Sequence, residues 1–129
     1  MKKVKYTKFV SNNIDYLGGR VLVFSSNLCS IGYGPVKIRD DPKLYNTANE
    51  KAILSPENDF YTKLANECVK QRICIDLFFC TNQIKSIDIA SFAPLSSITG
   101  GDLYLYSPFD INKHSEKLHY EIFRVLTRN

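Results

Sequence analysis

The chain has 129 residues, with 17 basic and 13 acidic side chains and a formal net charge of +4. That length suits one domain and is short for two. Hydrophobic residues make up 44% and charged residues 23%, a globular balance that excludes a disordered chain. No stretch approaches the ~20 apolar residues that span a bilayer. The basic opening, Met1 to Lys8, has no apolar run behind it and is not a secretion signal. A mild basic excess permits an acidic partner, whether membrane, nucleic acid or protein, and singles out none.

In chain order, Asn12 to Gly19 reads as a turn region. Arg20-Val21-Leu22-Val23-Phe24-Ser25 is the first strand, and its consecutive apolar residues predict burial on both faces. From Ser26 to Leu54, glycine, proline, asparagine and charge dominate, which predicts a long surface excursion of the kind that often binds. A helix follows, with Ser55 as its cap, Pro56 at the first helical position, and Glu57 and Asp59 near the positive end of the dipole. Phe60, Tyr61, Leu64, Ala65 and Cys68 form its apolar stripe, and Lys70, Gln71 and Arg72 close it.

Ile73 to Cys80 is the strongest strand and reads as central, because it is nearly all apolar. Ile84 to Ile98 predicts short helical turns interrupted by Pro94, ending at Thr99-Gly100-Gly101. Asp102 to Ser107 alternates as a third strand whose faces differ. The last helix spans about Ser115 to Thr127, with Leu118, Ile122, Val125 and Leu126 as its stripe. Alternating strands and helices predict an α/β fold with a mostly parallel sheet flanked by helices. Three strands make a narrow sheet, so either Met1 to Val10 adds a strand or the chain is part of a larger domain.

The sequence is thin in reactive chemistry. Cys29, Cys68, Cys74 and Cys80 lack C-x-x-C spacing and fit no common zinc pattern, so they read as small buried hydrophobes. His114 and His119 are five apart, a poor ligand pair, and read as surface residues. Gly32-Tyr33-Gly34 follows a strand, where a phosphate loop would sit, but no helix begins at once to offer its N–H groups. A nucleotide-binding module or enzyme using that loop is the alternative reading. Asp76 is the one acid in an apolar run. It is either a catalytic carboxylate or, by preference, one bonded to backbone or a neighbouring loop. Lys37, Arg39 and Lys43 in the long loop are candidate contacts for a partner or membrane. Tyr104 and Tyr106 lack the basic neighbours of an RNA-stacking sheet and read as packing residues, so no nucleic-acid partner is expected.

The ordered set of Gly18-Gly19-Arg20-Val21-Leu22-Val23-Phe24, Gly32-Tyr33-Gly34, Arg39-Asp40-Asp41-Pro42, Phe60-Tyr61-Thr62-Lys63-Leu64-Ala65, Ile75-Asp76-Leu77-Phe78, Thr99-Gly100-Gly101, Tyr104-Leu105-Tyr106 and Leu126-Thr127-Arg128 resembles the trunk domain of the cargo-selecting subunit of the COPII inner coat, the Sec twenty-four family. The resemblance implies a von Willebrand factor A-like α/β fold, of which residues 18–129 form the C-terminal half and residues 1–17 match poorly. It implies a non-enzymatic scaffold in ER-to-Golgi transport. The expected partners are the paralogous subunit, cargo membrane proteins and the anionic membrane surface, with localisation in the cytoplasm, peripheral on the endoplasmic reticulum and its vesicles. No cofactor is expected here, since the family's zinc belongs to a separate zinc-finger domain. Exposed apolar edges add the expectation that the chain self-associates.

Overall fold

The computed structural model describes residues 18–39, 41, 43, 45–48, 50–82 and 87–128. The segment Met1 to Val10, one of the two ways in which the narrow sheet was expected to be completed, lies outside them. Three parallel strands, β1 (Gly19–Ser25), β2 (Ile73–Cys80) and β3 (Leu103–Tyr106), form a sheet in the order β1-β2-β3. The register sets Leu22 beside Asp76 and Phe79 beside Leu105. Among the described residues four helices accompany it: α1 (Glu50–Leu54), α2 (Phe60–Lys70), α3 (Ile89–Thr99) and α4 (Ile111–Thr127).

β2 is apolar throughout because both of its faces are covered. Ile73, Ile75, Leu77 and Phe79 pack with Tyr61, Ala65 and Cys68 of α2 and with Phe92 and Leu95 of α3. Phe78, on the opposite face, packs with Tyr106 and Val125, joined by Leu118 and Ile122 of α4. The α/β reading, the central place of β2 and the α2 stripe therefore stand.

Other expectations give way to tertiary contacts. β1 is not covered on both faces, since Val23 is 39% and Phe24 54% exposed. The excursion after β1 contains the short helix α1. α2 begins at Phe60, with Asp59 before it and no side-chain cap bond, so Ser55 is not its cap. The Ser55 hydroxyl donates back to the Lys51 carbonyl at 2.8 Å and closes α1 instead. The Glu57 amide meanwhile donates to the Ser91 hydroxyl at 2.8 Å, which holds this stretch out of the helix.

α3 runs unbroken through Pro94. A proline inside a helix costs about 3 kcal/mol, and the burial of Phe92 and Leu95 between α2 and the sheet offsets it. α4 starts at Ile111, earlier than expected, because the Asp110 carboxylate accepts from the Asn112 amide at 3.0 Å. On α4, Leu126 is 65% exposed rather than part of the packed stripe.

Candidate interaction surface

α2 ends just before β2 begins and α3 starts after β2 ends, so both helix N-termini lie at the carboxyl edge of the sheet. The excursion of residues 26–59 leaves β1 at that same edge, where open α/β sheets bind their ligands. Three ties fix its shape. The Arg39 guanidinium forms a bidentate pair with Asp88, with nitrogens 2.8 and 2.9 Å from Oδ2. It also donates to the carbonyls of Ala52 at 2.6 Å and Ser55 at 2.7 Å. Such a charge-assisted fork is strong and geometrically specific. The Lys37 amide donates to the Glu57 carboxylate at 2.8 Å.

Farther along, the Tyr61 hydroxyl donates to the Gly34 carbonyl at 2.7 Å. Gly34 has φ +68°, and a Cβ there would lie 2.1 Å from the Phe60 ring, so only glycine fits. This glycine loop is seated on aromatic rings. The backbone that follows it, Pro35 to Arg39, is not helical, so the N–H cluster of a phosphate site does not form and nothing supports the nucleotide reading.

Of the three candidate contact residues, Lys37 and Lys43 are exposed, while Arg39 turns inward to the Asp88 clasp. Sequence reasoning missed the apolar side chains beside them: Ile31 is 87%, Ile38 65% and Leu54 72% exposed, with Tyr33 and Tyr45 also open. The rim thus mixes lysine with large apolar groups on a braced loop. The available signal was the placing of Ile31 and Ile38 among glycine, proline and lysine, which no core packing demands.

Asp76 is fully buried and accepts from the Arg20 guanidinium at 2.7 Å and the Asp102 amide at 2.9 Å. It is a bonded acid with both oxygens occupied. Burial works against the charge of Arg20, but the hydrogen bond and charge of Asp76 outweigh it and raise the Arg20 pKa. The Thr-Gly-Gly element extends the sheet beside it. The Thr99 hydroxyl accepts from the Ile75 amide at 3.0 Å and donates to the Leu95 carbonyl at 2.6 Å. Gly101 approaches so closely that a Cβ would sit 1.9 Å from the Ile75 carbonyl oxygen.

Burial pushes the thiols of Cys68, Cys74 and Cys80 up, away from the thiolate form that reacts. Of the four expected to be buried, Cys68 is buried, Cys74 and Cys80 are half-buried, and Cys29 is exposed. His114 is half-buried, not on the surface: it stacks on Phe109 and its Nδ1 accepts from the Asp110 amide at 3.1 Å. Tyr104 and Tyr106 pack as expected, Tyr104 stacking on Phe78 at 4.6 Å. Among the described residues no group of three or more His, Cys, Asp and Glu could hold a metal. None of their helices is long and apolar enough to cross a membrane.

Fold and rim together define a parallel α/β layer domain with exposed lysine and apolar side chains at the carboxyl edge of its sheet. The Sec23/Sec24 trunk domain model matches residues 7–126. The chain is 40% identical over 116 residues to the Arabidopsis thaliana protein transport protein SEC24 A, covering 89% of this chain and 11% of that one. Against human protein transport protein Sec24C it is 36% identical over 107 residues, covering 82% and 10%. The crystal structure of the human COPII-coat protein Sec24c superposes with a TM-score of 0.86 at 30% identity, over 95% of this chain and 17% of that one. The chain belongs to the Sec23/Sec24 trunk family. It spans about a tenth of the length of these curated relatives.

Proposed function

We propose that this chain is the C-terminal part of the trunk of a cargo-selecting COPII coat subunit and works as a non-catalytic scaffold in ER-to-Golgi transport. In this reading the trunk pairs with the paralogous Sec23-type subunit, lies against the cytoplasmic face of the endoplasmic reticulum membrane, and helps gather cargo membrane proteins. The single observation that carries it is the superposition on the human COPII-coat protein, TM-score 0.86 over 95% of the chain. In this reading these residues hold no cofactor, and any zinc would belong to a separate domain.

Association here means burying rim and helix surface of standard interface size. Lys37 and Lys43 add an attraction to acidic protein or anionic lipid that weakens as salt rises. Arg39 acts one step behind them, holding the loop that carries both lysines.

The test is a chimera. Residues 18–128 replace the matching segment in the trunk of a Sec24-type relative, and binding to a Sec23-type subunit is followed by size-exclusion chromatography with light scattering. A stoichiometric heterodimer is the expected result. A chimera that folds, as judged by its melting transition, yet never pairs would sink the reading.

A further inference from the structure

The chain holds two Ser-Pro dipeptides, Ser55-Pro56 and Ser107-Pro108, and the fold treats them oppositely. Ser107 follows β3 between two backbone ties. The Thr81 amide donates to the Tyr106 carbonyl at 3.0 Å, and the Phe109 amide donates to the Thr81 carbonyl at 2.9 Å. The Ser107 Oγ is buried. Ser55 lies in the connection between α1 and α2, next to exposed Pro56. Its hydroxyl donates to the Lys51 carbonyl at 2.8 Å in a solvent-exposed bond.

Freeing the two serines differs in cost as well. Ser107 comes free only if the end of β3 leaves the sheet. Ser55 comes free if α1 opens, and α1 has five residues, none of them buried. So short a helix has little stability of its own. Pro56 also biases the residue before it toward the extended form, in which a kinase cleft takes a peptide.

We propose that Ser55 is a phosphorylation site for a proline-directed serine kinase and that Arg39 receives the phosphate. The Ser55 Oγ attacks the γ-phosphorus of ATP. An O–P bond forms, the bond to ADP breaks, and the hydroxyl proton passes to the base of the kinase. The product carries about −1.5 to −2 charges. Its Oγ has no proton left, so the Lys51 carbonyl loses its donor. The new charge also sits at the carbonyl end of α1, where the dipole repels it. α1 therefore opens.

Arg39 is already in place. Its nitrogens lie 2.6 Å from the Ala52 carbonyl and 2.7 Å from the Ser55 carbonyl, and a phosphate is a stronger acceptor than either. The guanidinium keeps Asp88 through its Nε and turns to the phosphate the donors it now gives the two carbonyls. Glu57 and Asp88 are the like charges nearby, and each is bonded already, to the Lys37 amide and to Arg39. The sheet and α2 take no part, so the switch is confined to the excursion. This inference stands independently of the coat reading.

The test incubates the full chain with ATP and a purified mitogen-activated protein kinase. The expected product carries one phosphate, mapped by peptide mass spectrometry to Ser55, with none on Ser107. Ser55→Ala and Pro56→Ala each remove it. Limited subtilisin cleavage between residues 50 and 55 becomes several-fold faster in the phosphorylated chain. In phosphorus NMR the phosphoserine titrates below the ~6 of a free phosphate monoester, and Arg39→Gln moves it back up. Labelling of both serines, or of neither, overturns the site. Cleavage at the unmodified rate overturns the opening of α1, and a titration that Arg39→Gln leaves unmoved overturns the role of Arg39.

Discussion

The face of the sheet under α2 and α3 buries Ile73, Ile75, Leu77 and Phe79 in one continuous apolar cluster with Ala65, Phe92 and Leu95. The face under α4 buries only Phe78, Tyr106 and Val125 at its centre. Polar ties stitch its margins. Arg20 holds Asp76 at 2.7 Å and Arg128 holds Asp102 at 3.0 Å. The Tyr104 hydroxyl donates to Asp102 at 3.1 Å and accepts from Arg124 at 2.9 Å. Tyr106 donates to Glu121. One strand, β2, serves both faces with alternate residues, so the contrast lies in what each helix layer brings. The first face responds mainly to lost volume, the second also to lost charge.

The largest effects probe volume on either side. Phe78 is fully buried and stacks between Phe24 and Tyr104, and Phe78→Ala should cost about 3–5 kcal/mol. Leu77 on the opposite face is 1% exposed, and Leu77→Ala should cost about 2–5 kcal/mol. Urea unfolding followed by circular dichroism measures both. If Leu77→Ala were nearly silent, the α2–α3 face would not be the better packed one.

Charge comes next. Asp76→Ala leaves the Arg20 guanidinium and the Asp102 amide without an acceptor, and should cost about 1.5–3 kcal/mol. Arg20 is 26% exposed in its side chain, so water recovers part of the loss. Arg39→Lys cannot reproduce the fork to Asp88 together with the Ala52 and Ser55 carbonyls. Its effect should concentrate in the excursion, read as faster limited proteolysis between residues 26 and 59 with little change in the global urea midpoint. Equal cleavage of variant and parent would show that the Tyr61–Gly34 and Lys37–Glu57 bonds brace the loop without it.

What the sequence makes legible follows from the range of each cause. The uninterrupted apolar run of β2 and the helical period of Tyr61, Ala65 and Cys68 are local, and both elements stand where the pattern puts them. The Thr99-Gly100-Gly101 stop is also local, with Gly100 at φ +75° ending α3. Ser55-Pro56 carries a helix-start signature that loses to distant bonds, since the groups occupying that stretch, Arg39 and Ser91, come from other parts of the chain. The inward turn of Arg39 is unreadable for the same reason, its partner Asp88 lying 49 positions away. Asp110 was a readable cap, two residues before the amide it accepts from, but the histidine and serine that follow weaken the helical pattern. The exposure of Phe24 has no sequence signal at all, because a strand apolar on consecutive positions looks the same whether or not a neighbour covers it.

The smallest effect separates the two faces by alkali. Burial, then the hydrogen bond and negative charge of Glu121, push the Tyr106 phenol up from its ordinary value of 10.0. Burial, then Cys29, does the same for Tyr61 under the other face. Each phenol binds its proton more tightly in the folded state, so each contributes stability that is complete below pH 10.0 and declines as the pH climbs above it. Tyr106→Phe should lose about 1 kcal/mol at neutral pH with the hydrogen bond to Glu121. It should also flatten the decline above pH 10.0 by the share belonging to the α4 face, leaving the Tyr61 share in place. Unfolding free energies at neutral and strongly alkaline pH, for parent and variant, measure the difference. An unchanged alkaline slope would mean that Tyr106 ionises as freely as in the unfolded chain, and that its tie to Glu121 is too weak to set this face apart.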